Sequence, residues 1–159
     1  MKHQVSTLFL KIAVILIGIP VLTVSILAVY WLTKNPVNPD YAHILYPIVV
    51  GIFVSVIPFF IALFQAFKLL TYIDKNQAFS ELSVKALKNI KFCAITISAL
   101  YLVILPFVYL VAELDDAPGL IFIGMTPIFA SMVIAVFAAV LQRLLQEAID
   151  IKSENDLIV

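Results

Sequence analysis

The run "FCAITISALYLVILPFVYLVA", Phe92 to Ala112, carries no charged residue from end to end. A helix of about 20 apolar residues is what roughly 30 Å of bilayer hydrocarbon requires, and this run supplies it. Working outward, three more uncharged runs follow the same rule: Ile12–Thr33, Ala42–Phe67 and Ala117–Gln142. The reading is an all-α, polytopic membrane protein with four transmembrane helices in a single domain, a four-helix bundle with spans at 12–33, 42–67, 92–112 and 117–142. Between the second and third spans lies "QAFSELSVKALKNIKF", Gln77–Phe92, where lysines recur among apolar residues. It predicts an extra amphipathic helix over 76–91 outside the hydrocarbon, and residues 143–159 form a tail.

Composition agrees. Hydrophobic residues make up 64% and charged residues 13% of 159 residues, against roughly 45–50% and about 25% in soluble domains. Mean hydropathy is +1.13. Formal net charge is zero, so total charge offers nothing to nucleic acid and no direct nucleic-acid partner is expected. The single cysteine, Cys93, excludes an internal disulfide; it reads as a palmitoylation site or as a small apolar filler. The first span exceeds the 7–15 apolar residues usual in a secretory signal and no Ala-x-Ala site follows it, so it is expected to stay as helix one.

Basic residues orient the spans. Lys2, Lys11, Lys68, Lys75, Lys85, Lys88, Lys91, Arg143 and Lys152 all fall on one side of the four spans, and Lys34 on the other. Short loops rich in Lys and Arg stay in the cytoplasm, which predicts a multi-pass membrane protein with both termini cytoplasmic. The opposite loops, "TKNPVNPDYAH" and "AELDDAPG", hold helix-breaking prolines and acids. Tyr30, Trp31, Tyr41, Tyr46 and Tyr109 read as interfacial anchors there.

Chemistry within the spans is sparse. No Asp, Glu, Lys, Arg or His lies near a span centre, which counts against proton-coupled transport. Thr23, Ser25, Ser55, Gln65, Thr96, Ser98, Thr126 and Ser131 are expected to bond to backbone or across helices, with a small lipid or peptide site as the other reading. Pro20, Pro58 and Pro106 predict kinks, whereas Pro47 and Pro127 are placed in first turns. Ser131, Ala135 and Ala139 form a small-residue ridge for helix packing, within the monomer or in a homo-oligomer. His3 and His43 face opposite sides. No catalytic motif, metal-ligand set or cofactor loop is found, so the expectation is no enzyme, no metal and no cofactor.

Two segments can meet soluble partners as well as membrane lipids. In the first, Ser80 is placed as an N-cap, with Phe79 and Val84 as a hydrophobic staple. Lys85, Lys88 and Lys91 recur at three-residue spacing, and Leu82, Ala86, Leu87 and Ile90 are assigned to another face. Such a helix either lies along the inner leaflet or binds a protein. In the second, Leu141, Leu144, Leu145, Ala148 and Ile149 keep helical spacing up to the polar "KSEND". The last residues then dock, are read in extended form by a partner, or are disordered. Candidate partner-binding residues are thus Phe79, Ser80, Lys85, Lys88 and Lys91 with Glu154, Asn155, Asp156, Leu157 and Val159. A faint echo between "KLLTYIDK" and "RLLQEAIDIK" is a weak hint of duplication.

The "AFS" after the second span, the basic stretch leading into the third and the terminal "SENDLIV" resemble the uncharacterised bacterial membrane family known as domain-of-unknown-function family 2975. This chain has Asn76 where that family commonly has glycine, and "LIV" where the end is often "LTV". The resemblance implies a neighbouring cytoplasmic helix-turn-helix transcription regulator that such a protein would bind or sequester. The expected function is a non-enzymatic membrane regulator; the alternative is a small transporter, channel or peptide-resistance (immunity) protein acting through its helices.

The charge bias has a direct test. In a background lacking Cys93, a membrane-impermeant thiol reagent added to intact cells should modify a cysteine at position 38 and spare one at position 76. The reverse pattern would invert the orientation.

Overall fold

The computed structural model describes residues 2–34, 39 and 42–158, and side chains from 7 to 157 among them. Four helices account for nearly all of these residues: α1 (Lys2–Lys34), α2 (Ala42–Asp74), α3 (Glu81–Leu114) and α4 (Gly119–Ile158). Each is long and apolar enough to cross a membrane. Hydrocarbon offers no water to bond an open peptide group, so helices that satisfy their own backbone are the available solution. Tyr41, Val159 and the side chains of Lys2 and His3 lie outside the described residues.

The extra helix over 76–91 does not exist as a separate element. Residues 81–91 are the first turns of α3, which runs unbroken to Leu114. Nothing between Leu82 and Phe92 is proline or glycine, and a change from lysine-bearing to apolar sequence alters the solvent a helix meets without ending it. At 34 residues α3 is about 50 Å long, well beyond the hydrocarbon. The chain's end differs similarly. α4 continues through "KSEND" to Ile158, so up to residue 158 the extended and the disordered readings give way to helix.

Two turns share one construction. After α2, the Gln77 N–H donates to the Tyr72 carbonyl at 2.7 Å and the Asn76 N–H to Ile73 at 3.1 Å. After α3, Ala117 donates to Ala112 at 2.9 Å and Asp116 to Glu113 at 3.3 Å. These are Schellman closures, which place one residue in the left-handed region. Asn76 (φ 60°) and Asp116 (φ 52°) occupy it. Asn and Asp are the residues after glycine that tolerate that geometry, which accounts for Asn76 at a position where the resemblance implied glycine.

Among the described residues, only consecutive helices pack: α1 on α2, α2 on α3, and α3 on α4. The protein is a folded antiparallel row rather than the closed bundle expected from four spans. At the α2–α3 crossing a methyl placed on Gly51 would fall 2.4 Å from Ile104 Cδ1, so the buried Ile104 fills the notch that glycine leaves. Between α3 and α4 most of the buried residues are small: Ala94 and Ser98 on one, Ser131, Ala135 and Ala138 on the other, with Ile128 the larger one. Ala139 is half-buried. Small residues permit the close backbone approach on which helix association in lipid relies. The prolines sit inside continuous helices. Pro47 and Pro127 lie beyond the first turns where they were expected, since α2 begins at Ala42 and α4 at Gly119.

The turn at Asn76 yields a prediction. Asn76→Val should lower stability by about 1–2 kcal/mol, because a β-branched residue is strained at positive φ. Asn76→Gly should match or exceed the parent. Thermal unfolding in detergent micelles distinguishes the pair.

Candidate functional site

Polar side chains gather at one end of the row, where α1 starts, α2 ends, α3 starts and α4 extends. The Asp74 carboxylate accepts hydrogen bonds from the Thr7 hydroxyl and from Lys11 Nζ, the latter at 2.6 Å. Lys11 also lies 5.3 Å from the Phe67 ring centroid. Both members of the ion pair are about one-fifth exposed. Partial burial makes this a stronger tie than an open surface pair.

One turn further along the chain, the Gln77 carbonyl accepts from Ser80 Oγ at 2.6 Å and from the buried Ser83 Oγ at 3.1 Å. Ser80 has the extended backbone of an N-cap but makes no side-chain cap bond. Its hydroxyl is spent on the turn instead. The Ser80 carbonyl receives the first backbone bonds of α3, from Ser83 and Val84. Of the assigned staple, Val84 is buried while Phe79 is 61% exposed.

The inner face of α3's first turns comprises Ser83, Val84, Ala86 and Leu87, all buried. Leu82, assigned to that face from the sequence, is instead half exposed. The outer face therefore presents Phe79, Leu82, Lys85 and Lys88 as a ledge of two apolar and two basic side chains. Lys91 is half-buried, 4.9 Å from the Phe92 ring centroid. Gln146 of α4 donates to Glu81 at 3.1 Å and to Asp150 at 3.2 Å, fixing α4 against the start of α3.

Glu154, Asn155, Asp156 and Leu157 are exposed on α4 beyond that contact. Since α3 runs back from Glu81 while α4 runs on from Gln146, Lys85 and Glu154 are separated by roughly 18 Å along the row. The two candidate segments are therefore two surfaces and not one site.

A second feature sits among the spans. Because α2 and α4 both pack on α3 without meeting each other, a cleft of 480 Å³ remains, lined by residues including Ser55, Phe59, Tyr101, Ser131 and Ile134, with Val21 of α1 at its edge. The Ser55 and Tyr101 hydroxyls are hydrogen-bonded at 3.2 Å, and Ser55 also donates to the Ile52 carbonyl. Thr23, Ser25, Thr96 and Thr126 bond back to their own helices, and Ser98 donates to the Ile128 carbonyl across helices at 3.5 Å. Sequence reasoning missed Tyr101, Gln146 and the role of Asp74, and put Leu82 on the wrong face. The last had a signal: it is the acid that follows the second span among lysines.

The model of the family described as a protein of unknown function, DUF2975, matches residues 31–159. The chain is similar to the "Uncharacterized membrane protein YoaS" of Bacillus subtilis (strain 168), 60% identical over 159 residues and covering 99% of each chain. No solved structure matches.

Asp74→Ala should free α1 from the row, since α1 packs against α2 and its buried Thr7 turns on this carboxylate. Losing charge-assisted bonds of this kind costs about 1.5–3 kcal/mol. Hydrogen exchange should accelerate about tenfold or more in residues 7–14 while α3 and α4 keep their protection.

Proposed function

This chain belongs to the DUF2975 family of membrane proteins, and from that premise we propose that it is a non-enzymatic regulator holding a soluble helix-turn-helix regulator at the cytoplasmic face of the plasma membrane. The observation that carries this reading is the ledge of Phe79, Leu82, Lys85 and Lys88. A basic amphipathic helix that anchors to a leaflet must turn its apolar face toward the lipid. Here the apolar face, Val84, Ala86 and Leu87, is already covered within the protein. What stays outside is a rigid mixed surface on the side that the positive-inside rule assigns to the cytoplasm, with basic groups that suit an acidic patch on a protein.

The cleft favours the bundle-centred alternative less. Its apolar walls and the hydroxyls of Ser55, Tyr101 and Ser131 suit an acyl chain and supply no counter-charge for an ion. A ligand in it would bear on α2, α3 and α4 at once, so it serves the regulator reading as a place for a membrane-borne signal.

The test is charge reversal on the ledge. The chain is co-expressed with the helix-turn-helix regulator that the family resemblance implies, and membranes are fractionated and immunoblotted. The parent should carry the regulator into the membrane fraction, and Lys85→Glu with Lys88→Glu should release about 90% or more of it while the membrane protein stays inserted. Equal retention by parent and variant, or none by the parent, refutes the proposal.

A further inference from the structure

The far part of α4 has a face that nothing in its own chain covers. Leu141, Leu144 and Ile151 are 51%, 56% and 58% exposed, and every residue from 151 to 157 is exposed. Leu141, Leu144, Ala148, Ile151, Asn155 and Ile158 follow one another at intervals of three, four, three, four and three. That is the a/d spacing of a heptad seam. Within the spans it extends back to Phe137, which is 63% exposed, giving about three heptads. The buried side of α4, through Ser131, Ala135 and Ala138, is a different face, turned well over 90° away at 100° per residue.

We propose that this seam pairs with the same seam of a second copy of the chain, forming a parallel two-stranded coiled coil that crosses the membrane boundary. Three features on the seam select this occupant. Two copies inserted in one membrane share an orientation, so their α4 helices are parallel before they meet, as an isologous two-fold pairing requires. Glu147 and Lys152 occupy the g and e positions five residues apart, the spacing at which opposite charges face each other across a parallel pair. Asn155 falls at an a position, where facing asparagines fix register and favour two strands. Glu147 also meets Arg143 of its own helix at 3.6 Å, an exposed pair that holds its side chain on the seam's flank. The pairing explains how α4 stays helical past its last contact with α3, where a lone helix of fewer than about 12–15 residues is marginal in water. It does not depend on the proposed soluble partner, since the seam and the ledge are separate surfaces.

The test uses the full chain in a Cys93→Ser background, reconstituted into liposomes at low density. Single cysteines are placed at Ala148 and Ile151 on the seam and at Ser153 on the opposite side, and disulfide formation under mild oxidant is timed on a non-reducing gel. Ala148→Cys and Ile151→Cys should cross-link to a dimer about tenfold or more faster than Ser153→Cys. On the Ala148→Cys background, Glu147→Lys should slow the reaction about fivefold by turning two attractive pairs repulsive, and adding Lys152→Glu should restore it. Equal rates at all three positions, a dominant trimer or tetramer by native mass spectrometry, or no rescue by the charge swap would overturn the proposal.

Discussion

Apolar side chains gain little by leaving lipid for one another, so a membrane helix array depends on how closely its backbones can approach. In this protein that constraint converges on α3. Its Ile104 enters the notch at Gly51 of α2, and its Ala94 and Ser98 lie on the side packed against the small residues of α4. α2 and α4 are thus spaced by the helix between them, and the cleft is the space left over. α1 is attached differently. No residue of its most apolar stretch is fully buried, and a carboxylate clasp at one end adds to the close approach that Gly18 allows to Leu63 and Phe60 of α2.

The same constraint explains why one end is polar and joined while the spans stay plain. Lys11 with Asp74 and Gln146 with Glu81 link consecutive helices just where the apolar runs end. There water can solvate what is left of each charge, so the links carry little of the desolvation penalty that a buried ion pair would. Between them lies the turn that starts α3, braced on one carbonyl by Ser80 and Ser83. Both the ledge and the arm of α4 are mounted on this braced end.

The sequence made the four helices legible because long uncharged runs have one structural outcome in hydrocarbon. It placed the start of α3 beside Ser80, where polar turn residues precede a helical pattern. It did not reveal that α3 is a single piece, because hydropathy reports where a helix leaves lipid, and Lys85 to Lys91 can be helical in either solvent. The faces of that segment were half legible: Ala86 and Leu87 point inward as their spacing implies, but Leu82 and Phe79 face out because the turn from α2 decides the rotation of the first turn. Asp74 looked like a stray acid until α1 was folded against α2, and the cleft depends on which helices fail to touch. Neither property belongs to any local stretch. The basic and apolar character of the ledge could be read from residues 79–88, whereas its separation from Glu154 follows from the opposite directions of α3 and α4.

Taken without α1, the chain would be a three-pass unit, α2 to α4. An odd number of passes leaves the two ends of such a unit on opposite sides of the bilayer. α1 changes that parity. By adding a fourth pass it brings residues 7–11 to the side where α2 ends and α4 extends, and the Thr7–Lys11–Asp74 clasp is the rivet that records the arrival. A helix that contributes almost nothing to the core thereby puts both ends of the row on one side.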